Sequence, residues 1–287
     1  MKYILYILLF STSAFSQNYH YALGEKQSSS PEPPALETPV ERNTDNLILV
    51  ETFDDANLDS NPDLSDFYLE EAAGHSFKLD GNIKRAGSTA GRFEINKSDP
   101  LIWNGNRTEM SQSQSTAQEE GWYGFSQYFP DTYISDSTGE VIGQWHDKED
   151  VGETASRSPS NTLLTADDRI KWMARWDADK IMDSGFTDGL VYIDLGPIPK
   201  NKWIDWVIHI KFSHTNTGIV EVWKDGVKVI DRINMPNAYN DDNYPYFKFG
   251  VYKWEWGTAA SQRIIYYDEV RVGNANSSYD EVKPSGY

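Results

Sequence analysis

The chain has 287 residues, no cysteine, 26 Lys and Arg against 44 Asp and Glu, and a formal net charge of −18. The absence of cysteine excludes a disulfide framework, a thiolate metal centre, a cysteine nucleophile and a lipid anchor on cysteine. The acidity argues against nucleic acid as a partner, because phosphate binding needs a basic footprint.

The chain opens with MKYILYILLFSTSAFSQ, with a Lys at position 2, an apolar run from Tyr3 to Phe10 and small residues ending at Ser16. This pattern predicts a signal peptide over 1–16, and its apolar run is too short to span a bilayer permanently. Export to the periplasm or medium, with no membrane partner, is the expectation. Residues 17–46 include SSSPEPPALETP, a Ser/Pro/Glu-rich composition that reads as a disordered linker. One folded domain is expected over 47–287, as a monomer.

From LILVETFD onward, short alternating runs are separated by Gly, Asn, Asp and Pro. Strands are predicted at Gly91–Ile95, Asn106–Gln112, Gly121–Phe129, Glu140–His146, Ile170–Trp176, Leu190–Asp194, Trp203–Phe212, Gly218–Lys224, Lys228–Ile230, Tyr246–Tyr252 and Arg263–Val272. Lys224-Asp225-Gly226 is a hairpin signal. No amphipathic helix longer than about two turns is predicted. Many short strands at close spacing read as an all-β jelly roll, a two-sheet sandwich with a concave groove.

Three predicted strands carry chemistry on one face. NRTEMSQ aligns Arg107, Glu109 and Ser111; VIGQWHDK aligns Gln144, His146 and Lys148; YFKFGVYKWEW aligns Tyr246, Lys248, Gly250, Tyr252, Trp254 and Trp256. Singly, each has a structural explanation, such as a cross-strand ion pair. Together in one sheet they describe a cleft.

GQWH at 143–146 followed by YFKFGVY at 246–252 resembles the jelly-roll polysaccharide lyases acting on glucuronan, heparin and ulvan. NRTEMSQ is similar to the Arg-Thr/Ser-Glu strand of those enzymes and of the alginate lyases that share their fold. The resemblance covers roughly Leu47 to Gly273. It implies β-elimination on a uronic-acid polysaccharide, with His146 and Tyr252 where the families carry base and acid.

The residue types suit that chemistry on their own terms. β-Elimination removes the C5 proton and expels O4, so the neighbouring carboxylate must be neutralised, the task of an oxyanion-hole donor set. Arg107 and Gln144 suit this, since a guanidinium matches a carboxylate bidentately, and Lys248 could assist. His146 titrates near neutrality and serves as base; Tyr252 serves as acid. Two other bases stay open: Tyr252 alone, where the C5 proton and O4 share one side and His146 only holds the carboxylate, and a desolvated Lys148. No metal is required for the chemistry.

Further out, Lys171 and Arg175 are expected to read substrate anions, and Tyr246, Glu109 and Trp254 to contact sugar. Asp54 and Asp268 are a candidate pair for a structural Ca²⁺. Acidic clusters DDANLD, YLEEA and KEDVGE read as turns, which leaves no carboxylate-bearing strand for a glycoside hydrolase. The expected substrate is an anionic polysaccharide containing glucuronic acid, ulvan ahead of glucuronan. Alginate- or heparin-type cleavage and a non-catalytic lectin-like sandwich are the alternatives.

Overall fold

Alternating sequence builds fifteen strands among the residues described, which in this computed structural model are 43–54, 67–153, 157–182 and 187–284. The predicted signal peptide and all but the last four residues of the predicted linker lie outside the described residues. In chain order the strands are β1 (Leu47–Glu51), β2 (Phe67–Glu71), β3 (Phe77–Asp80), β4 (Ala90–Asn96), β5 (Asn106–Gln112), β6 (Glu120–Tyr128), β7 (Glu140–His146) and β8 (Asn161–Ala166). They continue with β9 (Arg169–Trp176), β10 (Gly189–Pro197), β11 (Trp203–Lys211), β12 (Ile219–Lys224), β13 (Val227–Ile233), β14 (Tyr246–Lys253) and β15 (Gln262–Gly273). One turn of helix, α1 (Tyr279–Val282), follows.

The strands form two antiparallel sheets, the jelly-roll sandwich expected from the sequence. One runs β13-β12-β11-β6-β15-β4-β3 with β1 on β15; the other runs β10-β9-β8-β7-β14-β5-β2. Between them lie the inward side chains of both. Phe247, Phe249 and Val251 of β14 are fully buried and meet Phe125, Phe93 and Tyr267 from the opposite sheet. Each such side chain contributes roughly 1.5–3 kcal/mol on burial. Trp145 and Trp172 pack together in this core with ring centroids 5.2 Å apart. The tryptophan of Gln-Trp-His therefore faces the interior while its neighbours Gln144 and His146 face outward.

The Lys224-Asp225-Gly226 signal forms the predicted hairpin between β12 and β13. Asp225 and Gly226 both take positive φ, 50° and 79°, the conformation that matches strand twist in a two-residue turn. β2, β3 and β8 were not anticipated from the sequence. The YLEEA segment is a correction: it is not a turn, since Phe67–Glu71 is a strand paired with β5, placing Glu70 opposite Glu109.

Gly250 answers a backbone requirement. It sits at φ 135° where β14 slips register against β7, and an added Cβ would lie 2.2 Å from the Thr108 carbonyl oxygen. The glycine is required by the close approach of two backbones at a bulge.

Candidate active site

The outer face of the seven-stranded sheet carries a cleft of about 1680 Å³, to which every strand of that sheet contributes a side chain. This exceeds the ~300–1,000 Å³ of a pocket for one small ligand and suits a chain. Its registers put the three sequence motifs side by side. β14 is the middle strand: Lys248 opposes Ser111 of β5 and Gln144 of β7, Tyr252 opposes Arg107 and Val141, and Tyr246 opposes His146.

Glu109 is the hub. Its side chain is 1% exposed, and it accepts a 2.5 Å hydrogen bond from Gln144 Nε2. Lys248 Nζ lies 3.2 Å from it and Arg107 Nη1 3.4 Å. A buried carboxylate of this kind is tolerated only when paired and hydrogen-bonded, and here one carboxylate holds three of the predicted site residues. Glu70 completes the group from β2, 3.0 Å from Lys248 Nζ and 3.6 Å from Arg107 Nη1. Two cations and two carboxylates leave this cluster neutral. Burial works against the Lys248 charge, but Glu109 and Glu70 outweigh it and hold its pKa above the ordinary lysine value.

His146 ends β7 on one side of the Lys248–Gln144 row. Its Nδ1 lies 2.7 Å from the Asp147 carbonyl oxygen, which can only accept, so Nδ1 carries the proton and Nε2 keeps the lone pair. Burial lowers the His146 pKa, with Lys248 adding to it and the Asp147 bond and the Glu109 and Glu149 charges opposing. The result is a neutral imidazole with a free basic nitrogen. Its ring centroid is 5.5 Å from that of Tyr246.

Tyr252 stands on the other side of the row. Its hydroxyl donates to Asn104 Oδ1 at 2.8 Å, and Arg107 Cζ lies 4.1 Å from its ring centroid. Burial raises its pKa, with Arg107 partly opposing, so the phenol keeps its proton. Trp254 extends this side, 46% exposed and with its ring centroid 5.8 Å from that of Tyr252.

The cleft thus gathers Arg107, Gln144, His146, Tyr246, Lys248, Tyr252 and Trp254, with Lys171 and Arg175 further along. Other expectations are corrected. Glu109 is off the cleft lining, its carboxylate engaged by Gln144, Lys248 and Arg107. Lys248 is likewise engaged by Glu70 and Glu109. Lys148 lies past the end of β7, exposed and off the cleft lining, because the Asp147 carboxylate turns inward to accept from Ser160 N at 2.6 Å. The burial that would fit a lysine for base work is absent there. Trp256 also leaves the Tyr252 face: its indole donates to Asn106 Oδ1 and covers the Lys253 ammonium.

Asp54 Oδ1 accepts from Ser88 N, Ser88 Oγ and Thr89 N; Asp268 accepts from Arg85 N, Ala86 N and Glu269 N. The two carboxylates together secure the 85–89 loop. Among the described residues no three His, Cys, Asp or Glu side chains converge on a metal.

Sequence reasoning missed Glu70, Asn104 and Trp103. Asn104 accepts from both Tyr252 and Arg107. Trp103 is 88% exposed at the cleft rim with φ 57°, an uncommon backbone for an aromatic residue. The Trp103-Asn104-Gly105 turn signal before β5 was the available clue.

Comparison with known proteins places this geometry in a class. The polysaccharide lyase family model matches residues 52–271, and the chain belongs to that family; it is a polysaccharide lyase. Among solved structures it is similar to the endo-β-1,4-glucuronan lyase of the fungus Trichoderma reesei, with TM-score 0.67 and 20% identity over 77% of this chain and 94% of that one. It is also similar to the family 7 alginate lyase A1-II′ in complex with product, with TM-score 0.52 and 15% identity over 74% and 96%. A GH131 β-glucanase catalytic domain from Podospora anserina has TM-score 0.53 and 14% identity over 77% and 88%, so this sandwich also carries hydrolases. No curated protein matches the chain by sequence. Among the described residues no helix is long and apolar enough to cross a membrane.

Proposed function

We propose that this lyase is exported and cleaves a uronic-acid polysaccharide by β-elimination, with a glucuronic-acid polymer of the ulvan or glucuronan type as substrate. The observation that carries the reading is the row of Arg107, Gln144 and Lys248 held by buried Glu109, with a neutral imidazole on one side and a protonated phenol on the other. Arg107 and Gln144 take the uronate carboxylate, which makes the C5 hydrogen acidic. Where the C5 hydrogen and O4 lie on opposite faces of the ring, His146 Nε2 removes that proton. The C4–O4 bond breaks as the C4–C5 double bond forms, and Tyr252 gives its proton to departing O4. The phenolate and imidazolium then exchange the proton through solvent.

His146 and Tyr252 on opposite sides suit a uronate whose C5 hydrogen and O4 lie on opposite faces of the ring. In glucuronate these lie on the same face, and there Tyr252, on the O4 side, first releases its own proton to solvent; the phenolate takes the C5 proton and returns it to departing O4, while His146 only holds the carboxylate. The glucuronan lyase similarity supports the glucuronate class, and the tryptophan in Gln-Trp-His fits that side better than the alginate side. Of the three carboxylates that line the cleft, Glu70 is bonded to Lys248 and Asp194 to Arg169, while Glu149 acts on His146, an arrangement unlike the flanking acid pair of a hydrolase.

The test is far-ultraviolet absorbance of the unsaturated uronate on glucuronan, ulvan, alginate and heparin. A rise on glucuronan or ulvan is expected. A rise on alginate or heparin alone would move the substrate, and binding without any rise would leave a lectin-like sandwich. N-terminal sequencing of exported protein should begin at Gln17.

A further inference from the structure

Strand register fixes how a chain-like substrate lies. One row of Cα partners crosses the sheet through Lys248, Gln144, Thr162, Met173 and Tyr192. A neighbouring row runs through Tyr252, Val141, Leu164, Lys171 and Asp194. The reactive groups sit at one end of these rows. At the other, on β9 and β10, the cleft is lined by Lys171, Met173, Arg175 and Tyr192.

The charges at that far end are unusual for so acidic a chain. Asp194 is the Cα partner of Lys171, yet its carboxylate is taken by Arg169, with Nε at 3.0 and 2.8 Å and Nη2 at 2.5 Å. Lys171 is left with no hydrogen-bonded partner among the described residues. Arg175 directs Nε and Nη2 at Met173 Sδ, at 3.2 and 3.1 Å, and a thioether is a weak acceptor. Its guanidinium meets no carboxylate among the described residues. Lys171 and Arg175 stand two residues to either side of Met173, and Tyr192, Met173's cross-strand partner, is 56% exposed. An open aromatic ring is thus flanked by two cations that form no salt bridge among the described residues, Lys171 feeling Asp194 only through space.

We infer that Lys171, Arg175 and Tyr192 form a distal subsite for an anionic sugar of the same polysaccharide chain. It lies two strand spacings (Lys171, Arg175) to three (Tyr192) from Gln144, about 10–14 Å, a distance a polysaccharide covers in a few residues. Tyr192 supplies a face for the ring, as amphipathic aromatics do at wet surfaces, and the two cations take its carboxylate or ester sulfate. The inference rests on reading the cleft as a polyuronate lyase site. It adds that binding is set by charges remote from the reacting sugar.

The experiment compares the full-length protein with Lys171→Gln/Arg175→Gln and with Tyr192→Ala. On defined oligosaccharides of the cleaved polymer, the loss should grow with chain length. On long chains KM should rise about tenfold, the worth of a lost charge-assisted contact, while kcat stays within about twofold as expected for uniform binding. A loss equal at every length, or none, overturns the subsite. Retardation in gels containing unsulfated polyuronate or sulfated neutral polysaccharide separates the two anions: the double variant loses retardation only in the gel whose anion the site reads. This readout does not depend on turnover, so failure of the lyase reading shows as absent unsaturated product while retardation persists. Absence of retardation of the parent in both gels overturns the inference.

Discussion

The guanidinium carbon of Arg107 lies 4.1 Å from the centroid of the Tyr252 ring, and the two residues are direct partners across β5 and β14. The cation and the phenol proposed to bind the carboxylate and give the proton are therefore placed by one contact, with Asn104 Oδ1 accepting from both. Tyr252→Phe keeps the ring under Arg107 and removes only the proton. Its kcat should fall by at least about 10²-fold with KM nearly unchanged. Tyr252→Ala should raise KM as well, because the cation loses its support. Steady-state kinetics on the cleaved polymer decide this; parental kcat in the Phe variant would remove Tyr252 from the reaction.

Glu109→Gln probes the hub. The amide preserves shape but leaves Arg107 and Lys248, both nearly buried, facing the single carboxylate of Glu70, which is 30% exposed. Breaking a buried pair typically costs about 3–5 kcal/mol. The melting temperature should drop, and kcat/KM should fall by about 10²–10³, the range for losing one preorganised stabilising donor. Glu70→Gln should cost less stability, since water already reaches that carboxylate.

The pH dependence follows from two shifts of opposite sign. On substrates whose C5 hydrogen and O4 lie on opposite faces, the proposed base His146 acts when neutral, and burial holds its pKa below the ordinary value of 6.5; activity there falls on the acid side only below that value. On the same substrates the proposed acid Tyr252 acts when protonated, and burial holds its pKa above the ordinary value of 10.0; the alkaline fall lies beyond that. The kcat/KM profile should be flat between the two. His146→Gln should remove the acidic limb together with most turnover on substrates whose C5 hydrogen and O4 lie on opposite faces. An acidic limb centred above 6.5 would contradict the burial argument.

What could be read from sequence follows the physics of half-buried strands. β5 and β7 have the predicted bounds, Asn106–Gln112 and Glu140–His146, because charged and hydrogen-bonding side chains such as Arg107, Glu109, Gln144 and His146 alternate there with core side chains such as Met110 and Trp145. β8, Asn161–Ala166, puts Leu163 in the core and Leu164 on the cleft in succession, which breaks that alternation, and it was passed over. β2 was taken for a turn because its glutamates have meaning only beside Arg107 and Lys248, which are distant in sequence. Lys148 was misplaced by extending alternation past the residue where the strand ends. The partners of a charge are a tertiary property, so the hub role of Glu109 and the donors on Asp54 and Asp268 were beyond reach of spacing.

Behind the acid side of the cleft lies a second closed set of charges. Lys253, at the end of β14, is fully buried and lies 3.1 Å from Glu140 and 3.5 Å from Asp136; Arg263 of β15 lies 2.6 Å from Glu140 and 3.5 Å from Asp136. Lys253 Nζ also donates to the Thr138 carbonyl at 3.0 Å, and Gly257 N donates to Asp136. The set is neutral, joins both sheets and, through Lys253, fixes the segment between Tyr252 and Trp254. Lys253→Met keeps most of the volume but leaves two buried carboxylates with one cation, at a cost of about 3–5 kcal/mol. Lys253→Arg keeps the charge but needs more space, so its loss should be smaller. In the Met variant, Tyr252 and Trp254 lose their anchor while Arg107 and Gln144 keep theirs on Glu109. Below its lowered melting point, that variant should therefore lose kcat more than affinity. Equal loss of both, measured at a temperature where it is fully folded, would show that the buried set stabilises the sandwich without positioning the acid.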